Sequence, residues 1–150
     1  VREHPLEVVD VLVVRVMNLQ PPEVWKKRFD HINDFERMLT DSGYTLLKFF
    51  LHISHDEQAA RLQARLDDPA KNWKFEPGDL TMRERWDDFM AAYEAVLEKT
   101  STPWAPWHVV PADRKWFRDY TVARTVVDTM EQWNQKWPKP RVDLRKFRVK

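Results

Sequence analysis

Between Tyr44 and Ala95 the spacing of apolar residues changes three times without a break. Tyr44-Thr-Leu-Leu-Lys-Phe-Phe-Leu-His-Ile53 is short, rich in aromatic and branched residues and apolar on both faces, which predicts an interior strand. Ser54-His-Asp-Glu57 follows at once with the spacing of a reciprocal helix cap. Ala59, Leu62 and Leu66 then mark the inner face of a helix, with Gln58, Arg61 and Arg65 as a polar stripe beside it. The helix is predicted to stop near Asp67-Asp68-Pro69, because proline lacks a donor and crowds the preceding turn. Lys71-Asn-Trp-Lys-Phe75 has neither period, so its basic and aromatic residues are not explained by core packing. Thr81-Met-Arg-Glu84 offers a second reciprocal cap, and Trp86, Phe89, Met90, Tyr93 and Leu97 return to helical spacing.

On either side of this unit the pattern is simpler. β-propensity favours a strand for Val8–Val16, while Val9, Leu12, Val13 and Val16 also form a helical stripe. Pro22 opens a helix whose apolar face is Trp25, Phe29, Ile32, Phe35, Met38 and Leu39, ending at Ser42-Gly43, where glycine permits a left-handed cap. After the breaker Thr100-Ser-Thr-Pro103, Trp107–Val110 is a short strand and Asp113 the N-cap of a further helix. That helix carries the stripe Trp116, Tyr120, Ala123, Val127 and Met130. Val1–Pro5 reads as an irregular lead, and Trp137-Pro-Lys-Pro-Arg141 opens a basic tail that ends at Lys150. Two interior-looking strands separated and followed by long helices predict a parallel α/β layer, and an incomplete one, since two strands support few helices.

Composition narrows the function classes. A chain of 150 residues suits one hydrophobic core. The formal charge of +1 combines 25 basic with 24 acidic residues, so no global field favours nucleic acid or a membrane surface. Cysteine is absent, which excludes a disulfide scaffold and thiolate chemistry and fits a cytoplasmic protein. No apolar run reaches the roughly 20 residues needed to span a bilayer, and the start lacks a signal-peptide pattern. With glycine at positions 43 and 78 alone, a glycine-rich phosphate loop cannot be written from these residues.

Arg61, Arg65, Lys71, Lys74, Arg83 and Arg85 surround the central unit. Placed cations of this kind are what phosphate chemistry requires: guanidinium pairs with two oxygens, and lysine neutralises a transferring phosphoryl group. Helix solvation and local salt bridging among Arg83, Glu84, Arg85, Asp87 and Asp88 is the commoner explanation for such a run. A single-strand nucleic-acid binder using Arg61, Arg65, Lys71, Lys74, Trp73 and Trp86 would need all of them on one accessible face. Ser54 lies at the strand end where ligands of parallel α/β folds bind, although capping already accounts for it. His52 and His55 have no third ligand at zinc spacing. Asp67-Asp68 and Asp87-Asp88 read as turn or solvated positions, and no G-x-S-x-G elbow occurs.

Several longer stretches together resemble the carboxy-terminal half of the polyphosphate kinase 2 family. They include Asp10–Val16, Leu47–Ser54, Arg65-Leu-Asp-Asp-Pro69, Lys71–Phe75, Arg83–Asp88, Ala105-Pro-Trp107, Val110-Pro-Ala-Asp113 and Trp116, with Pro138-Lys-Pro140 and Asp143-Leu144 in the tail. The resemblance implies a partial P-loop kinase-like parallel sheet with flanking helices and a helical lid. It implies one domain over residues 1–150, with the lid at about 67–88 and a basic tail at 138–150. It implies phosphoryl exchange between polyphosphate and a nucleotide with Mg2+, and turns Val8–Val16 toward a helix. By resemblance, Arg65, Lys71, Lys74 and Arg83 contact phosphate, while Trp73, Phe75 and Trp86 brace the lid.

The family's glycine-rich loop, its lysine and its acidic residue have no counterpart here, and Val8 and Val9 stand where the family is aromatic and acidic. The chain is therefore expected to be a carboxy-terminal part, a divergent remnant or one piece of a split protein. Its partners would be polyphosphate, a nucleotide and either further copies or a missing amino-terminal segment, with no metal ligand or principal catalytic residue assignable within it. The competing expectation is a noncatalytic polyanion-binding or oligomerisation module derived from the same fold.

Overall fold

The structure is a computed structural model that describes residues 9–139 and 141–148. The predicted lead at Val1–Pro5, with Val8, Pro140 and Lys150, lies outside the described residues. Six α-helices and two strands follow in the order α1 (Val9–Val16), α2 (Pro22–Asp41), β1 (Lys48–His52), α3 (His55–Asp67), α4 (Gly78–Glu84), α5 (Trp86–Thr100), β2 (Trp107–Pro111) and α6 (Lys115–Gln132) among the described residues.

β1 and β2 pair in parallel, with Lys48 beside Trp107 and His52 beside Pro111, and the crossover runs through α3, α4 and α5. This is the incomplete parallel α/β layer that the pattern predicted and the partial P-loop kinase-like sheet with flanking helices that the resemblance implied. β1 is shorter than the apolar run Tyr44–Ile53, because β2 offers a partner over five residues. The described sheet has two strands, and Leu51 and Val109 are exposed on it.

Val9–Val16 is a helix, against its β-propensity. Eight residues cannot hold a helix alone in water, but as a helix this segment buries Val11, Leu12 and Val16 against Phe29 and Ile32 of α2 and Ala92 and Val96 of α5, with Val11 taking the place that the predicted stripe gave to half-buried Val13. Tertiary burial outweighs the strand preference of valine. On α5 the fully buried positions are Ala92, Val96 and Thr100, whose small or branched side chains let α1 and α2 approach. The predicted stripe of larger residues lies half-buried instead, with the Tyr93 ring 4.7 Å from that of Phe50.

Four other expectations need correction. Phe35 and Met38 of α2 are exposed, and the position between them and the core is taken by buried Glu36. Leu66 is exposed because the last turn of α3 packs on the loop that follows rather than on the body. Thr81 is not an N-cap: it lies inside α4, and α5 begins after Arg85 with no side-chain cap. The row Trp116, Tyr120, Ala123, Val127 and Met130 on α6 is exposed, since α6 meets the body along β2 and the described sheet is too narrow to cover an 18-residue helix. By contrast, Gly43 has the left-handed φ of +89° that ends α2, and α3 stops at Asp67 as the proline requires.

The strand starts are tied by a buried polar knot that the apolar pattern does not show. Lys48 Nζ donates to Glu36 Oε2 and to the carbonyl of Thr100, both at 2.6 Å. The ammonium also lies 5.1 Å from the Trp107 ring centroid, and the Trp107 indole donates to Thr100 Oγ1 at 2.8 Å. One lysine thereby joins α2, β1, α5 and β2. Removing one partner of a buried pair strands the other charge, so Lys48→Met is predicted to lower unfolding free energy by roughly 3–5 kcal/mol. In urea denaturation, the double variant Lys48→Met/Glu36→Leu should recover most of that loss.

Candidate functional site

The site is built from the carboxyl ends of the two strands. Ser54 ends the β1 segment and caps α3, its hydroxyl accepting from the Glu57 amide at 3.1 Å. The expected return bond from Glu57 is absent; the Ser54 amide instead donates to Asp113 Oδ1 at 2.7 Å. Glu57 is used to hold Arg61, which donates from Nε to Glu57 Oε1 at 2.7 Å. Arg61 Nη2 then reaches the carbonyls of Ala112 at 2.7 Å and Asp113 at 3.3 Å, across the strand ends. Asp113 was expected to cap α6, but Arg114 occupies that position and no side chain caps it. The aspartate is drawn away because an amide at the end of the neighbouring strand competes for it.

This clasp fixes the floor of a cleft of about 310 Å³ lined by His52, Ser54, Pro111, Asp113, Arg114 and Phe117. The Ser54 amide holds the Asp113 carboxyl below its usual range, against a smaller opposing effect of desolvation and with help from Arg61 and His52. Arg61, a candidate phosphate contact from sequence, is committed to the clasp.

The 67–88 segment, expected to be a lid, is attached to both ends of α3. At the far end Lys71 Nζ lies 2.6 Å from Asp68, whose carboxyl is held below its usual range chiefly by that hydrogen bond. The Asn72 amide donates to the carbonyls of Arg65 and Leu66 at 2.7 and 2.9 Å, closing the open end of the helix. Arg65 Nη1 donates to Asp79 Oδ2 at 3.1 Å and to the Lys74 carbonyl at 3.3 Å, so it braces the loop onto α4. Lys74 has no carboxylate partner among the described residues and lies over the ring of Trp73 at 5.0 Å. Trp73 is 75% exposed and donates to Ala70 within its own loop, while Phe75 is half-buried.

At the near end, Arg83 Nη1 donates to the His55 carbonyl at 2.6 Å and to Gln58 Oε1 at 3.0 Å. Trp86 stacks obliquely on His55 with ring centroids 4.9 Å apart. His55, Arg83 and Trp86 border a cleft of about 590 Å³. Arg65, Lys71 and Lys74 are thus gathered around one loop, whereas Arg83 stands at the first turn of α3. The 13-residue helix between them is about 20 Å long at 1.5 Å per residue. Nothing in the residue pattern marks Asp79 and Asn72 as organisers of the loop, because their partners depend on how α4 folds back. Gln58 had been visible as part of the polar stripe.

A parallel strand pair with a helical crossover and cations beyond the strand ends defines a P-loop kinase-like α/β protein in part. The chain belongs to the polyphosphate kinase 2 family, whose profile matches residues 8–138. It is 56% identical over 131 residues to the AMP/ADP-polyphosphate phosphotransferase of Meiothermus ruber, covering 87% of this chain and 49% of that protein. It is 45% identical over 114 residues to the ADP-polyphosphate phosphotransferase of Rhodopseudomonas palustris, covering 76% of this chain and 39% of that one. The crystal structure of polyphosphate kinase 2 from Arthrobacter aurescens TC1 superposes with a TM-score of 0.89 at 46% identity, covering 93% of this chain and 49% of that one. The chain therefore spans about half the length of these relatives or less.

Among the described residues no three His, Asp or Glu gather into a metal-holding group, and Asp113 is engaged by Ser54. No helix among the described residues is long and apolar enough to cross a membrane.

The clasp yields a pH prediction. A carboxyl whose folded-state pKa lies below its unfolded value stabilises the fold above the unfolded value, about 3.9 for aspartate. That contribution fades as pH falls through the folded value. Melting temperatures should therefore separate wild type from Asp113→Asn at neutral pH and converge in acid, as read by circular dichroism.

Proposed function

We propose that this chain is the lid-bearing, carboxy-terminal part of a polyphosphate-dependent nucleotide phosphotransferase. The reaction would move a terminal phosphoryl group between polyphosphate and a nucleoside mono- or diphosphate. The P–O bond to the donor chain breaks as one to the acceptor phosphate forms. Little covalent chemistry falls to the protein in such a transfer; positioning and charge stabilisation carry it.

The observation that carries this reading is the placement of cations at both ends of α3 in a chain of this family. At one end Lys71 is held by a single carboxylate and Lys74 lies over the Trp73 ring, and at the other Arg83 is held by a carbonyl and a side-chain amide, all partners that phosphate oxygens can replace. Tied to opposite ends of α3, they do not share a partner in this conformation. They suit an extended polyanion whose successive phosphates lie along the helix, with Arg65 keeping the loop in place and Trp86 seating Arg83's end against His55. The names of the relatives support polyphosphate as one substrate and a nucleotide as the other.

Neither glycine sits in a glycine-rich loop, so the cradle for the transferred phosphate is expected from outside these residues. The purified chain, given polyphosphate, AMP or ADP, and magnesium, should bind polyphosphate in a salt-sensitive manner yet transfer phosphate at or near background. Arg83→Ala and Lys71→Ala/Lys74→Ala should each weaken that binding at a temperature where circular dichroism shows the variant still fully folded. Chelator-sensitive transfer by the chain alone would contradict the assignment of the cradle elsewhere, and absence of salt-sensitive binding would remove the lid reading.

A further inference from the structure

We propose a second anion site, separate from the 67–88 loop, in the cleft between Arg15 and Arg85, built to take one phosphoryl group. The cleft has a volume of about 320 Å³ and lies where the turn between α1 and α2 meets the first turns of α5. It shares no lining residue with the strand-end cleft or with the cleft of Arg83.

Arg15 is half-buried, and its guanidinium lies over the Trp25 ring at 5.3 Å. That cation–π contact holds the group at the cleft without engaging its N–H donors in a hydrogen bond. Among the described residues no hydrogen-bond acceptor or carboxylate partner meets those donors, a condition Arg15 shares with Arg28 and Arg114; what sets Arg15 apart is that it lines one cleft together with a second guanidinium, that of Arg85. A half-buried guanidinium without protein acceptors keeps its donors available to an anion that enters the cleft. Arg85 faces the same cleft with its second terminal nitrogen on Met17 Sδ at 3.8 Å, a weak acceptor that an oxyanion displaces. Its other donors are spent on Asp88 at 3.0 Å, the one carboxylate lining the cleft. Lys26, 5.8 Å from the Trp25 centroid, adds positive charge.

Asn18 and Gln20 line the cleft as well, and Asn18 holds a left-handed φ of 52° that turns the chain there. The charges call for a phosphoryl oxyanion; the amides are compatible with a nucleotide as its source, and the cleft is equally open to an inorganic chain. Arg85 is also the residue between α4 and α5, so an anion bound to it bears on how α4 is set.

The test uses the whole chain and follows the side-chain amide signals of Asn18 and Gln20 and the Trp25 indole N–H by NMR. Tripolyphosphate, AMP and adenosine are titrated separately into wild type, into Lys71→Ala/Lys74→Ala, and into Arg15→Gln and Arg15→Lys. Saturable shifts that persist without the loop lysines and weaken about tenfold or more in Arg15→Gln support the site. Arg15→Lys keeps the charge and loses the paired geometry, and an intermediate affinity is expected of it. Shifts with tripolyphosphate alone make the source inorganic; shifts with AMP and not adenosine make it a nucleotide phosphate; both together leave the phosphoryl group as what is recognised. Signals unmoved in wild type by either anion, or moved equally in Arg15→Gln, overturn the proposal.

Discussion

The Lys48 ammonium is the constraint on which the arrangement depends. It sits at the first residue of β1, beside the first residue of β2, and takes its acceptors from α2 and from the last residue of α5. A two-stranded parallel sheet has little intrinsic stability, and five paired residues could slip in register were nothing to pin them. A charge satisfied by one carboxylate and one carbonyl in a nearly dry site allows a single register. An apolar residue in its place would pack, but it would not distinguish the native alignment from a shifted one.

With the starts of the strands fixed, their other ends are fixed too, and there a different bonding problem is solved. Parallel strands that run into helix starts leave backbone amides needing acceptors. Ser54 Oγ serves one and Asp113 serves another, while Arg61 gathers the carbonyls of Ala112 and Asp113. The direction of α3 is thereby set by the sheet. Everything attached to α3 inherits that direction, including Asn72 and Arg65 at its far end and Arg83 at its near end. The body places α3, and α3 sets how far apart the proposed lid cations stand.

Much of this was legible in the residues. The Ser54 cap, the proline stop after Asp67, the glycine end of α2 and both strands follow from local rules, because each depends on neighbours within a turn. What was not legible depends on distant partners. Asp113 could be read as a cap until Ser54 was seen to need an acceptor. Glu36 lay inside an amphipathic stripe with nothing to mark it as the partner of Lys48. Val9–Val16 carries strand propensity, and its helix is decided by α2 and α5. The row on α6 has a correct helical period, yet period does not say what covers a face. Of the cations singled out in the sequence, the partners required the fold, with Arg61 and Arg65 bonded across the strand ends and the loop and Lys71, Lys74 and Arg83 at opposite ends of α3.

The proposed role of those separated cations is to bind an anion that is itself long. Affinity for linear polyphosphates of increasing length, measured by calorimetry at one ionic strength on this chain, addresses that claim most directly. The account predicts that affinity per molecule climbs steeply until the anion can reach from the Lys71–Lys74 loop to Arg83 and then levels, with the step lost in Arg83→Ala. An affinity that is already maximal for the shortest chains, or that rises smoothly and identically in Arg83→Ala, would contradict it.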